Sequence, residues 1–294
     1  WTRQFGTTDG DRVLAVSFDT AGNAYVAGYS DGPLPGHTEL GADDAFIRKY
    51  DPTGNIIWTR QFGTAFTDRA HSVSVDTAGN SYVTGYTSGA MPGQTSSGGG
   101  DAFIRKYDVS GNEVWTRQFG TVQTDVAQGV NVDAAGNSYV AGRTPGAFPG
   151  QTNPSVTQNA FIRKYDASGT EVWTRQFGSG SRTIGNDISV DPAGNSYVTG
   201  YVTNGSLPGG TALGGQDAFI RKYDTAGNIT WTRHVGTSGF DGANAISVDT
   251  LGNIYVAGYT TGAMSGPGSG ALDTFVRKYD TAGNIVWTRQ FGSS

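Results

Sequence analysis

The chain has 294 residues with 46 Gly, 10 Pro and no Cys, which rules out disulfides, thiolate zinc sites, iron–sulfur clusters and cysteine nucleophiles. Its net charge of −5, from 20 basic and 25 acidic residues, argues against a nucleic-acid binder, which usually carries a basic surplus. No apolar run approaches the length of a membrane span, and 12% aromatic with 15% charged residues is the opposite of a disordered composition.

The chain opens on WTRQFG at Trp1. The motif returns at Trp58, Trp115, Trp173 and Trp287, and as WTRHVG at Trp231, at spacings of 57, 57, 58, 58 and 56 residues. Five units tile the sequence, at about 7–63, 64–120, 121–178, 179–236 and 237–292, with residues 1–6 a spare copy. Such a period marks a repeat architecture. The second unit shows the elements in order: His71–Asp76, Ser81–Thr87, Ala102–Asp108 and Glu113–Phe119. Each is short, alternating, and rich in β-branched and aromatic residues between Gly and Asn, so each reads as a strand. The first pair and the second pair are joined by Asp-x-x-Gly-Asn, with Gly169-Thr170 in one copy. Here Asp caps a tight turn and Gly takes the left-handed backbone.

Four antiparallel strands per unit, repeated in tandem, predict an all-β fold, a five-bladed β-propeller, with residues 1–294 one domain. Strands A to D run in order through each blade. Strand A carries large residues on one face (Val73, Val75) and small ones on the other (Ser72, Ser74), as adjoining sheets require near a crowded hub. The A–B and C–D turns share one end of the blades and are nearly constant. The B–C and D–A links share the other end and vary, as in His37–Asp43, Gln94–Gly100, Gln151–Gln158, Gly210–Gln216 and Pro267–Leu272. Variable loops on a rigid scaffold are the usual seat of binding.

The pattern D-x-x-GN-x-YV-x-G, then DAF-x-x-KYD-x-xGN, then W-x-x-x-FG, resembles the bacterial beta-propeller repeat family known as SBBP and is similar to a longer NHL repeat. The resemblance implies strand A at the central channel, strand D outermost, and an extracellular or cell-surface bacterial setting. It implies no particular chemistry. The family label is associated with seven blades, against five units here.

The Arg and Lys of R-K-Y-D and WTR read as framework, interleaving with Phe103, Tyr107, Trp115 and Phe119 across the C–D hairpin. Asp76, Asp108 and their equivalents read as turn caps. Asp11, Asp68, Asp125 and Asp241 at the start of strand A, and Asp44, Asp101, Asp217 and Asp273 at the start of strand C, either cap loops or meet a cation; capping is the simpler expectation. His37, His71 and His234 occupy three different repeat positions, and no hydrolase, zincin or Walker motif occurs. No catalytic residue, metal site or cofactor is assigned. The ligand-binding candidates lie at the channel mouth: His71, Gln128, Asn186 and Asn244, where the first unit has Leu14, together with Asp187. Leu34, Met91, Phe148, Leu207 and Met264 should tuck their loops onto the blades.

The functional expectation is a non-enzymatic binding or scaffold module for a protein or surface ligand. The alternatives are a lectin-like glycan binder, an excised or engineered run of repeats without activity of its own, and an enzyme at the channel mouth. A protein or carbohydrate partner fits this reading; nucleic acid and membrane insertion do not. A monomer is expected, with a strand-swapped oligomer through Trp1–Gly6 as the alternative. Two WTRQFG copies would compete for one outer place, leaving Trp1–Gly6 frayed, on an edge or swapped, and its deletion without effect on melting.

Overall fold

The computed structural model describes residues 1–265 and 272–292; most of the Pro267–Leu272 loop lies outside them. It contains five sheets of four antiparallel strands in chain order, a five-bladed β-propeller. Blade 1 comprises β1 (Asp11–Phe18), β2 (Ala24–Ser30), β3 (Asp44–Tyr50) and β4 (Ile56–Phe62), and blade 2 β5 (Asp68–Val75), β6 (Ser81–Thr87), β7 (Asp101–Tyr107) and β8 (Glu113–Phe119). Blade 3 comprises β9 (Val126–Val132), β10 (Ser138–Thr144), β11 (Asn159–Tyr165) and β12 (Glu171–Phe177). Blade 4 is β13 (Arg182–Val190), β14 (Ser196–Thr203), β15 (Gln216–Tyr223) and β16 (Ile229–Val235), and blade 5 is β17 (Asp241–Val248), β18 (Ile254–Thr260), β19 (Asp273–Tyr279) and β20 (Ile285–Phe291).

The chain clusters into two compact units. One holds 1–140 and 165–170, hence blades 1 and 2; the other holds 141–164 and 171–294, hence blades 4 and 5. Within the first, blade 1 contributes Tyr25, Ala27, Ile47, Trp58 and Phe62 to a core completed by Ala70, Val73, Val83, Phe103 and Tyr107 of blade 2. Within the second, Tyr197, Ile220 and Val235 of blade 4 meet Ile246, Val256 and Phe275 of blade 5. The large face of strand A therefore looks back to the preceding blade. The small face looks forward: Ser72 Oγ accepts the Val130 N–H of the next strand A at 3.3 Å.

Strand A begins earlier than alternation suggests, at Asp68 rather than His71, because a β-bulge divides it. Ala70 pairs with Gly85 and Ser72 with Thr84, leaving His71 as the extra residue. The same slip falls at Leu14, Asn186 and Asn244. It explains the strand-B glycines. A Cβ on Gly85 would overlap the Arg69 carbonyl oxygen, and one on Gly200 the Ile184 carbonyl oxygen. This is close backbone approach at a bulge.

Both hairpin turns are built by their aspartate. Asp76 Oδ1 accepts the N–H groups of Ala78 and Asn80, and Oδ2 accepts Asn80 Nδ2. Gly79 supplies φ +82°. In the C–D turns, the Asn55 backbone N–H and the Thr53 and Asn55 side chains lower the Asp51 carboxyl to about 2. The Asn112 side chain and backbone likewise lower Asp108. A carboxyl whose folded pKa lies below its unfolded value stabilises the fold above the unfolded pKa and loses that contribution as pH falls through the folded one. Urea midpoints should therefore decline between about pH 4 and pH 2, and Asp51→Asn should flatten that decline.

Strand D makes the outer joint between blades. Trp58 Nε1 donates to the Val109 carbonyl at 3.2 Å and Arg60 Nε to the Gly111 carbonyl at 2.7 Å, both in the C–D turn of blade 2. Phe62 meets Phe103 edge-on at 5.8 Å, and the Arg105 guanidinium lies 4.5 Å from the Phe62 ring. The Arg105 guanidinium thus lies on a ring of the preceding blade rather than on one across its own hairpin, while Arg60 and Lys49 lie over Trp58 and Tyr25 of their own blade. Trp1–Gly6 makes the same set on blade 1. Trp1 Nε1 donates to Pro52 O at 3.0 Å, Arg3 Nε to Gly54 O at 2.7 Å, Phe5 meets Phe46 at 5.7 Å, and Arg48 lies 4.1 Å from the Phe5 ring. Trp1–Gly6 is therefore packed on blade 1 rather than frayed, and it joins no sheet.

Candidate functional site

Three of the channel-mouth candidates, His71, Asn186 and Asn244, are the bulged residues of their strands. A bulged residue is re-aimed out of the regular pleat, and here it is aimed at the next strand A. His71 Nδ1 lies 3.2 Å from the Ala127 carbonyl and must donate to it; its imidazole rests 5.6 Å from the Tyr86 ring. Asn186 Nδ2 donates to the Ala243 carbonyl at 2.8 Å. Gln128 is half-buried on β9, and Asn244 is exposed on β17. Asp187 Oδ1 accepts the Ile188 N–H and Oδ2 the Ile246 N–H of β17, at 2.8 and 2.9 Å. Burial raises the Asp187 carboxyl to about 6, with those two N–H donors pulling the other way. Asp187 makes the link from strand A to the next strand A that Ser72 makes with a hydroxyl. Thus His71, Asn186 and Asp187 each bind a neighbouring backbone. His37 stands elsewhere, in a B–C loop where its N–H donates to Leu34 O.

The variable end is organised by the second set of aspartates. Asp68 Oδ2 accepts the N–H and hydroxyl of Thr64. Asp44 Oδ2 accepts the Leu40 N–H and Gln61 Nε2. The two carboxylates converge on Gly63, whose missing Cβ would sit 2.7 Å from Asp68 Oδ2 and 3.1 Å from Asp44 Oδ1. Burial raises the Asp68 carboxyl, and the Asp44 charge adds to this. The Oδ1 atoms of Asp44, Asp101 and Asp217 have no hydrogen-bond partner. One junction replaces both acids with neutral residues and keeps the caps: Asn159 Oδ1 accepts Ser155 N–H, and Thr183 Oγ1 accepts Ser179 N–H. Capping is therefore the work these positions share. Two carboxylates also fall well short of the six to eight oxygens calcium takes. Among the described residues no group of three or more His, Cys, Asp or Glu is arranged to hold a metal.

His234, the exception to Gln in strand D, does the work of Gln. Gln61 Oε1 accepts Leu34 N–H while its Nε2 donates to Asp44. His234 Nε2 accepts Leu207 N–H at 3.1 Å, which leaves the proton on Nδ1, 3.2 Å from Asp217 Oδ2. It anchors a loop. The residues these groups hold, Leu34, Met91, Phe148 and Leu207, are buried as expected.

The loops are also tied to one another. Asp68 N–H donates to Asp43 O, Asp125 N–H to Gly100 O, and Thr183 N–H to Gln158 O, at 2.7–2.9 Å. Each bond joins a B–C loop to the start of the following strand A, and Gly99 N–H to Val122 O and Thr157 N–H to Ser181 O join the B–C and D–A loops themselves. At these joints large apolar side chains face solvent: Leu40, Phe66, Val122, Val156, Leu213 and Phe240. The basic residues of R-K-Y-D are spent internally; Lys49 and Lys106 are buried, with their amino groups 4.8 and 4.9 Å from the rings of Tyr25 and Tyr82. No helix of the described residues is long and apolar enough to cross a membrane.

Blades of this build, with capped turns and strand-D joints, define a β-propeller repeat protein. The beta-propeller repeat family SBBP matches at residues 1–35, 57–90, 114–149, 172–208 and 230–263, more than half of the chain, and the chain belongs to that family. It is 26% identical to the regulatory protein FlaEY of Caulobacter vibrioides over 95% of its own length and 33% of that protein's. It is 23% identical to an uncharacterized WD repeat-containing protein, L264, of Acanthamoeba polyphaga mimivirus over 98% of its length and 28% of that protein's. The chain thus spans about a third of the length of these relatives. Among solved structures the Pan2 WD40 domain of Neurospora crassa aligns at a TM-score of 0.51 with 10% identity, covering 96% of this chain and 66% of that one, a likeness of fold.

Proposed function

We propose that residues 1–294 form one non-enzymatic binding module whose variable end contacts a protein partner. The observation that carries this reading is the rim of B–C and D–A loops, bonded to one another and presenting Phe66, Val122 and Phe240 to solvent. Loops ordered in advance lose little entropy on binding, and exposed apolar side chains on such a scaffold mark an interaction surface. The regulatory name of the Caulobacter relative agrees with a role in partner contact rather than chemistry. An extracellular or cell-surface setting follows from the bacterial family resemblance and is part of the same proposal. A glycan is the weaker alternative, because Trp58, Trp115 and Trp173 are buried in joints between blades and are not free to stack on sugar.

The test is site-specific photo-crosslinking in extract of the source cell. A photoreactive phenylalanine analogue is placed at Phe66, Val122 or Phe240, and for comparison at the exposed turn positions Thr20, Ser110 or Ala226. One discrete adduct from the loop positions and none from the turn positions is expected. Equal labelling at both ends, or saturable binding on a glycan array without any protein adduct, would overturn the reading.

A further inference from the structure

Asn204 is the one asparagine of the sequence that precedes a glycine, and it stands in the loop that follows β14. Among the described residues it is the only non-glycine with a positive φ, +52°, a left-handed conformation that asparagine tolerates better than most side chains. It is exposed. Its backbone is held on both sides: Asn204 N–H donates to the Gly215 carbonyl at 2.8 Å, and the Thr203 carbonyl accepts Ser181 N–H at 3.1 Å. Its side chain is held weakly, with Nδ2 donating to Ser181 Oγ at 3.3 Å.

The backbone nitrogen that follows Asn204 is unbound, and the repeat explains why. Strand B ends in Thr-x-Gly in blades 2 to 5. In three of them the threonine hydroxyl accepts the glycine N–H: Thr87 from Gly89 at 3.3 Å, Thr144 from Gly146 at 3.1 Å and Thr260 from Gly262 at 3.0 Å. β14 is one residue longer than β6. Thr203 therefore pairs with Gln216, whereas Thr87 pairs with Asp101, and a slip of one residue turns a side chain to the other face of the sheet. The Thr203 hydroxyl donates to Gln216 Oε1 at 3.4 Å. Gly205 N–H is left without a hydrogen-bond partner among the described residues.

We propose that Asn204 is a site of spontaneous covalent modification, at which the Gly205 nitrogen closes on the Asn204 side chain and water then converts it to aspartate and isoaspartate. The Gly205 nitrogen attacks Asn204 Cγ. The N–Cγ bond forms, the Cγ–Nδ2 bond breaks, and the proton lost from Gly205 departs with the leaving group as ammonia. One water opens the resulting five-membered imide at either carbonyl, and no atom is oxidised or reduced. Glycine has no side chain to shield the attacking nitrogen, and an N–H without an acceptor is more readily deprotonated than one held in a bond. The asparagines of the hairpin turns differ on both counts. Nδ2 of Asn55, Asn80 and Asn112 donates to the turn aspartate at 2.8–2.9 Å, and the residue after each carries a side chain. Asn153 precedes a proline, which has no N–H to react. Conversion of Asn204 places a negative charge on a loop that has no charged residue from Thr203 to Gln216.

The experiment incubates the folded full chain at neutral and at mildly alkaline pH and follows every asparagine by tandem mass spectrometry of its peptides. Methylation by an isoaspartyl methyltransferase marks the isoaspartate. Asn204 should convert ahead of every other asparagine, into both products, and faster at the higher pH, because hydroxide removes the amide proton. A parallel incubation in urea separates the fold from the bare Asn-Gly sequence. Asn204 should convert in the folded chain at a rate close to that of the unfolded chain, whereas Asn80 should be slowed by folding. Asn204→Gln should lose the product, with circular dichroism reporting that the variant is folded. Conversion at Asn204 no faster than at Asn80 in the folded chain, or a folded rate far below the unfolded one, would overturn the proposal.

Discussion

Replacing Gly85 with alanine is expected to destabilise the protein by about 3 kcal/mol or more, among the largest effects of any single methyl in the chain. The added Cβ would collide with the Arg69 carbonyl oxygen, a backbone atom fixed by the bulge at His71. Relief requires either loss of the bulge or separation of β5 from β6. Losing the bulge would shift every later residue of β5 to the opposite face, driving Val73 out of the core shared with blade 1. Gly99→Ala is the control: the nearest atom to its added methyl would be 3.6 Å away, and its urea midpoint should stay at the parent value. A Gly85→Ala midpoint equal to that of Gly99→Ala would contradict the bulge geometry.

Deleting Trp1–Gly6 is expected to lower the melting temperature by several degrees. The segment covers Phe46 and Tyr50, and its Phe5 ring lies against the Arg48 guanidinium. Uncovering one buried aromatic side chain costs about 1.5–3 kcal/mol, and about 1 kcal/mol corresponds to roughly 2–4 °C in a chain of this size. Sequence reasoning expects the opposite, an unchanged melting temperature, because it assigns the segment to an outer place already filled by β20. Differential scanning calorimetry of the 7–294 chain decides between them.

That disagreement shows what kinds of structure a repeat pattern reveals. The strands were legible because alternation, turn glycines and aspartate caps all recur with the unit: Ser81–Thr87 and Glu113–Phe119 carry the expected bounds. The tucked loop residues were legible for the same reason. The joints between blades were not, because they depend on which neighbour a side chain reaches. Arg60 bonds a carbonyl 51 residues onward, and nothing in the WTR motif announces this. The bulge was hidden for a different reason. His71, Val73 and Val75 still alternate by number, while the extra residue moves Ala70 onto the face of Val73. Its trace was the invariant strand-B glycine, such as Gly85, which has no positive φ to explain it.

The site was half legible. His71, Asn186 and Asp187 stood out because they vary where their neighbours repeat, and each proves to grip the backbone of the next strand A. The variable end was identified from topology alone. Its order was not, since Gly99 N–H to Val122 O is a bond between loops of successive units. His234 differs in residue type from the Gln of the other units, yet its two ring nitrogens reproduce the acceptor and donor of that Gln.

The central claim is that the variable-end loops of the first four blades are ordered before any partner arrives. Amide hydrogen exchange of the free protein tests this most directly, at Asp68, Asp125 and Thr183, whose N–H groups hold the loops together. Local opening sets exchange at such sites. The account predicts protection comparable to that of mid-strand amides such as Ile104. Exchange as fast as in an unstructured loop would contradict it.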